Sequence, residues 1–184
     1  PGTTHNTLIS ITLAAEMVDA TITINSLDFT KTSSSSATSS DISQFQLWHD
    51  VNNNGLWDSG TDVQLGLGTV GTVNPNFSGI SFATTNGTVE QLLLTVDIST
   101  GAETSHTLGM EVSQSSDFHL ALSADDISGT FPLPSSPGDH SLPVSFSSFT
   151  IMADNGSNLL NWVTESEQNN AGFAVYRAEG EELD

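Results

Sequence analysis

Thr7-Leu8-Ile9-Ser10-Ile11-Thr12-Leu13 and Ala20-Thr21-Ile22-Thr23-Ile24-Asn25-Ser26-Leu27-Asp28-Phe29 decide the fold class. In both stretches apolar residues alternate with small polar ones, the period of a strand with one buried face. Between them lies Ala14-Ala15-Glu16-Met17-Val18-Asp19, the one segment of helical composition. Six residues flanked by β-branched runs are too short for an isolated helix, so a turn or bulged strand is expected. Outward from this pair, strands are predicted at 45–51, 63–67, 76–83, 89–98, 107–113, 118–122 and 141–146. Residues 30–40, with Ser33-Ser34-Ser35-Ser36, read as a low-complexity polar loop. Pro132, Pro134 and Pro137 with Gly138 exclude a central strand just before the last of these. Strands at this spacing without intervening helices predict an all-β antiparallel sandwich over residues 1–146.

Residues 147–184 have a different character. Thr150-Ile151-Met152-Ala153, Asn158-Leu159-Leu160-Asn161-Trp162-Val163 and Phe173-Ala174-Val175-Tyr176-Arg177 read as three strands, the first two joined by the hairpin signal Asp154-Asn155-Gly156-Ser157. Three strands cannot close a sandwich alone. The expectation is an incomplete second unit, either continued in a longer protein or completed by a neighbouring chain.

Charge narrows the function. The chain has 184 residues, 22 Asp plus Glu against 2 Lys plus Arg, a net charge of −20 and no cysteine. Lys31 and Arg177 cannot form the basic stripe that nucleic acid requires. An anionic membrane surface would repel the chain, and no apolar run approaches the roughly 18 residues of a membrane span. Disulfides and cysteine-ligated zinc are excluded. The 27 serines and 22 threonines suit short strands joined by polar turns. A surface nearly free of lysine and arginine resists trypsin-like proteases, and carboxylates without cationic partners invite divalent ions. Both features predict an extracellular or cell-surface location. Pro1 stands where a start Met would, with no signal-like segment after it, so an export signal is expected outside this chain.

Chemistry concentrates in Asp50-Val51-Asn52-Asn53-Asn54-Gly55-Leu56-Trp57-Asp58-Ser59-Gly60-Thr61-Asp62. Oxygen-bearing side chains fall at loop positions 1, 3, 5 and 9 with glycine at 6, the spacing by which Asp50, Asn52, Asn54 and Asp58 converge on Ca²⁺ while Leu56 offers its carbonyl. An EF-hand places a bidentate acid at position 12, which here is Thr61. Asp62, one residue later, is expected to close the shell through the flexible Gly60, and no EF-hand helices are expected. The same stretch also reads as a plain hairpin, since Asn54-Gly55 is a strong turn signal. A metal-free turn, however, has no use for three aspartates crowded without a cation. The ion would be a structural staple.

Other candidates are weaker. His5, His49, His106, His119 and His140 are scattered and lack zinc-ligand spacing. No nucleophile elbow or phosphate-cradling loop occurs. Glu165 and Glu167 imitate a glycosidase pair but read as a solvated turn. Trp48 and Trp57 flank the calcium loop and read as packing beside it, with sugar stacking the alternative. Asn76-Phe77-Ser78, Asn86-Gly87-Thr88 and Asn155-Gly156-Ser157 fit the N-glycosylation pattern, so glycans are a further partner that the sequence admits.

Taken in order, Ile22-Thr23-Ile24-Asn25-Ser26-Leu27-Asp28-Phe29-Thr30, Leu47-Trp48-His49-Asp50-Val51-Asn52-Asn53-Asn54-Gly55 with Asp58 and Asp62, and Leu92-Leu93-Leu94-Thr95-Val96-Asp97 resemble a β-sandwich repeat of bacterial secreted and cell-surface proteins. That family carries a DVNGNGxxDxGD-like calcium loop. The tail from Leu160 to Phe173, with Asn161-Trp162-Val163-Thr164 in it, resembles the opening of a fibronectin type III-like module of Bacteroidetes-type surface proteins. The resemblance implies an Ig-like or jelly-roll-like sandwich followed by a partial fibronectin-like unit with Trp162 in its core. It also implies an exported, modular, non-catalytic protein. The leading expectation is therefore a calcium-stapled structural subunit that pairs strands with copies of itself, head to tail, into a surface filament. The alternative is an accessory, adhesion or carbohydrate-binding module of a larger secreted protein.

Overall fold

The computed structural model describes residues 4–14, 21–122 and 125–134, and the backbone of 140–141, 146–154 and 157–164. The chain is all-β, with no α-helix among the described residues and with antiparallel pairing throughout. Its strands are β1 (Asn6–Ala14), β2 (Thr21–Asp28), β3 (Thr30–Lys31), β4 (Ile42–Asp50), β5 (Val63–Leu67), β6 (Asn76–Thr85) and β7 (Val89–Ile98). There follow β8 (Thr107–Leu108), β9 (Met110–Val112), β10 (Phe118–Leu120), β11 (Leu133–Pro134), β12 (His140–Ser141), β13 (Phe146–Asp154) and β14 (Ser157–Thr164). No described helix is long and apolar enough to cross a membrane.

The largest sheet has the order β1-β7-β4-β5, and smaller ones have the orders β10-β2-β6, β11-β9-β3, β12-β8 and β13-β14. Alternation in the sequence becomes alternation of burial. Ile9 and Ile11 of β1, Phe45 and Leu47 of β4, and Leu92, Leu94 and Val96 of β7 are buried in one core with Ile24 and Leu27 of β2, Phe77 and Phe82 of β6, and Met110 and Val112 of β9. Each such side chain contributes about 2 kcal/mol of burial. Strand β7 differs from the rest, because Leu93 and Thr95, on the opposite face from Leu92 and Leu94, are also 0 % exposed. The contacts of that outer face are described below.

Two expectations change in detail. The expected strand 107–113 is broken into β8 and β9 at Gly109, whose carbonyl accepts the Thr32 N–H at 2.9 Å. The 30–40 segment is built into the fold, with Thr30 and Lys31 paired to Glu111 and Met110 and with Ser35 and Ala37 buried. Its composition hides this because the Thr107 carbonyl satisfies it, accepting from the N–H groups of Ser36 and Ala37 and from Ser35 Oγ. The expected boundary at 146 falls at the first residue of β13. The tail hairpin forms as read, from Phe146 opposite Thr164 to Asp154 opposite Ser157, with Phe149 opposite Trp162. Residues 15–19 of the expected turn, Glu165 and Glu167, and the expected strand 173–177 lie outside the described residues.

Candidate calcium loop between β4 and β5

Residues 51–62 carry the chain from Asp50, the last residue of β4, to Val63, the first of β5. No helix flanks the connection, as the displaced acid at position 13 predicts. Asp50 is 0 % exposed, and its carboxylate accepts the N–H groups of Gly55 at 2.7 Å and Asn54 at 3.3 Å. Gly55 has φ +77° and Gly60 φ +80°, left-handed conformations that a side chain would strain, so glycine at loop positions 6 and 11 is what lets the chain reverse twice.

Asp58 gathers the middle of the loop. Its Oδ2 accepts Nδ2 of Asn52 at 2.9 Å and Nδ2 of Asn54 at 2.6 Å, so positions 3, 5 and 9 converge. These two amide donors hold the Asp58 carboxyl below the usual carboxylate range. Asp62 ties the end to the beginning, accepting the Asp58 N–H at 2.7 Å and the Val51 N–H at 3.3 Å. Leu56 donates its N–H to Asn54 Oδ1 at 2.8 Å, and its side chain is exposed. Among the described residues no three acidic or histidine side chains are gathered into a single metal-ligating group. The convergent set is mixed, with amides between the carboxylates. With the terminal torsions of Asn52 and Asn54 turned by half, at the cost of the Leu56 N–H bond to Asn54 Oδ1, the set Asp50, Asn52, Asn54, Asp58, Asp62 and the Leu56 carbonyl would offer oxygens, the donor type Ca²⁺ prefers.

Beside the loop, Trp57 stacks on His5 with ring centroids 4.0 Å apart and planes 10° from parallel, and it meets Trp48 edge-on at 5.6 Å. Trp48 Nε1 donates to Thr95 Oγ1 at 2.9 Å, Thr95 Oγ1 to Gln46 Oε1 at 2.8 Å, and Gln46 Nε2 to Asp97 Oδ2 at 2.7 Å. Asp97 Oδ1 in turn accepts the His5 N–H at 2.7 Å. Thr95 is buried within this polar chain, and Leu93, on the same face, stands opposite Trp48 of β4 and Ser10 of β1. Both tryptophans are half-buried and packed against each other, with Trp57 also on His5.

Sequence reading missed the role of the histidines. His49 Nε2 lies 2.8 Å from Glu90, His106 Nδ1 2.8 Å from Asp41 and His119 Nε2 2.8 Å from Asp28. In a chain with 2 Lys plus Arg, imidazole is the available partner for a carboxylate, and the composition itself was the signal. The pairs join residues 41 to 91 positions apart, which no local spacing reveals. Asp41 is the most completely bonded of these acids. It is 0 % exposed and accepts from Thr38 N, Thr38 Oγ1, Glu103 N and His106 Nδ1 at 2.7–2.9 Å. Burial pushes its carboxyl up, but these donors outweigh that and lower it from 3.8 to about 2. Of the glycosylation triplets, Asn76 donates its amide to Asp28, Asn86 sits exposed in the β6–β7 turn, and Asn155 lies outside the described residues.

Comparison of the chain with protein-family models, with curated proteins and with solved structures finds no match, so the reading of its function rests on the chemistry and geometry above.

Proposed function

We propose that the chain is an extracellular structural subunit whose β4–β5 connection binds Ca²⁺ and whose sheet margins pair with further copies of the chain to build a filament. The margin at β5 carries this reading. Among the described residues β5 bonds to β4 alone, and Val63-Gln64-Leu65-Gly66-Leu67 contains no charge, proline or lysine to blunt it. Val63 is 52 % exposed, Leu67 60 % and Val70, just beyond, 73 %. An apolar edge of this kind is a template for strand addition.

The second surface is the β13–β14 hairpin, whose strands pair only with each other among the described residues. A two-stranded hairpin is marginal alone and gains most from a third strand. Pairing of one copy's β5 with the next copy's hairpin joins two different surfaces, so the contact propagates. Calcium enters because its loop ends at Val63: ordering 51–62 orders the start of the joining strand. The carbohydrate-binding alternative needs free aromatic faces, and it draws less support from tryptophans already engaged by His5, Thr95 and one another.

Electron microscopy and light scattering of the chain in millimolar calcium, with and without chelator, test the proposal. Filaments in calcium that are lost with chelator, and lost in the Val63→Lys/Leu67→Lys double variant, are the expected result. Monodisperse particles under both conditions would overturn it.

A further inference from the structure

The residues of the β4–β5 connection divide by parity. Asp50, Asn52, Asn54, Asp58 and Asp62 form the candidate ion set, while Asn53, Gly55 and Trp57 lie in succession along β1 and its partner β7. Asn53 Nδ2 donates at 3.3 Å to the carbonyl of Val89, which stands opposite Ala14 at the far end of β1. Gly55 lies over the middle, where a Cβ would stand 3.7 Å from Ser10 Oγ. Trp57 reaches the near end and stacks on His5, the residue before β1. The connection therefore runs lengthwise over β1. That strand is itself a margin, pairing with β7 alone among the described residues, and it brings Leu8, Ile9 and Ile11 into the core.

We propose that the connection is a clasp on β1 that calcium closes, with Trp57 against His5 as its catch. The proposal rests on the calcium reading above. Ordering the even-numbered side chains around an ion removes freedom that the odd-numbered ones otherwise lose when they dock, so ion binding and docking of β1 favour each other. Coupling of this kind is reciprocal: the closed catch strengthens calcium binding by the same factor by which calcium strengthens the catch. The consequence for assembly is selection between margins. Calcium holds β1 in its own sheet and leaves β5 as the edge that accepts a neighbour.

Hydrogen exchange of the β1 amides in the full chain, followed through a calcium titration alongside calorimetric measurement of calcium binding, tests this. Calcium slows exchange in β1 by about tenfold in the parent chain. His5→Ala retains slowing within 51–62, loses most of it in β1 and binds calcium about fivefold more weakly, whereas His5→Phe, which keeps a ring against Trp57, behaves as the parent. Calcium binding without any change in β1 exchange, or equal slowing in His5→Ala and parent, would overturn the clasp and leave the calcium reading standing. No heat of calcium binding in the parent overturns both.

Discussion

Asp41 and the 51–62 connection solve the same problem, a carboxylate enclosed in a chain with almost no cations, in opposite ways. At Asp41 the protein supplies every donor itself: two backbone N–H groups, a hydroxyl and an imidazole meet one carboxylate. In the connection three carboxylates share four backbone N–H groups and two side-chain amides, and two of the backbone bonds are long, at 3.3 Å. The first centre is complete without help. The second holds the carboxylate of Asp58 on two side-chain amides and ties Asp50 and Asp62 to backbone N–H groups, and it is the place where the proposed ion would bind. If the proposed ion binds there, the connection's local fold depends on its surroundings, whereas the Asp41 centre's does not.

The contrast sharpens first through Leu93, fully buried on the face of β7 that also carries Thr95, opposite Trp48 and Ser10. If that face is tightly packed, Leu93→Ala costs about 3 kcal/mol in chemical denaturation, the loss typical of a buried leucine in a core. A cost near zero would mean that the face is loosely packed.

Acid tests the Asp41 centre next. The Asp41 carboxyl lies below its ordinary value in the folded chain, so its contribution to stability is full above 3.8 and is lost as pH falls through about 2. The displacement corresponds to about 2 kcal/mol. Denaturation at a series of acid pH values shows this loss in the parent, and Asp41→Asn, already destabilised at neutral pH, loses less stability over the same range.

Calcium gives the smallest effect. Millimolar calcium raises stability by about 1 kcal/mol for a site of extracellular affinity. Thermal unfolding with and without chelator measures the increment, which Asp58→Ala abolishes and Asp41→Asn leaves in place. An increment that survives Asp58→Ala would break the assignment of the ion to the connection.

Much of the fold was legible because burial in a half-covered sheet imposes a period of two on the residues themselves. The predicted strands 63–67 and 89–98 coincide with β5 and β7, and the Asp154–Ser157 hairpin pairs at the expected residues. The failures share a cause. Residues 30–40 looked like a free loop because serine and threonine composition does not reveal that a distant carbonyl, at Thr107, will satisfy their backbone. Leu92-Leu93-Leu94 violates strict alternation, and that violation was the sign of a strand buried on both faces. The candidate loop was legible as spacing, because oxygen-bearing residues at every second position can converge only if the chain turns at Gly55. What lies beneath it was not.

The sequence by itself determined the all-β class, the local convergence of Asn52, Asn54 and Asp58, and the scarcity of cations that leaves carboxylates to find other partners. These follow from residue type and short-range spacing. Only the tertiary structure decided that His106 meets Asp41, that His5 meets Trp57, that the connection lies along β1 and that β5 stands at a sheet margin. Those contacts join residues tens of positions apart, and which of them form depends on the order of strands within the sheets, a property of the whole packed chain that no local pattern contains.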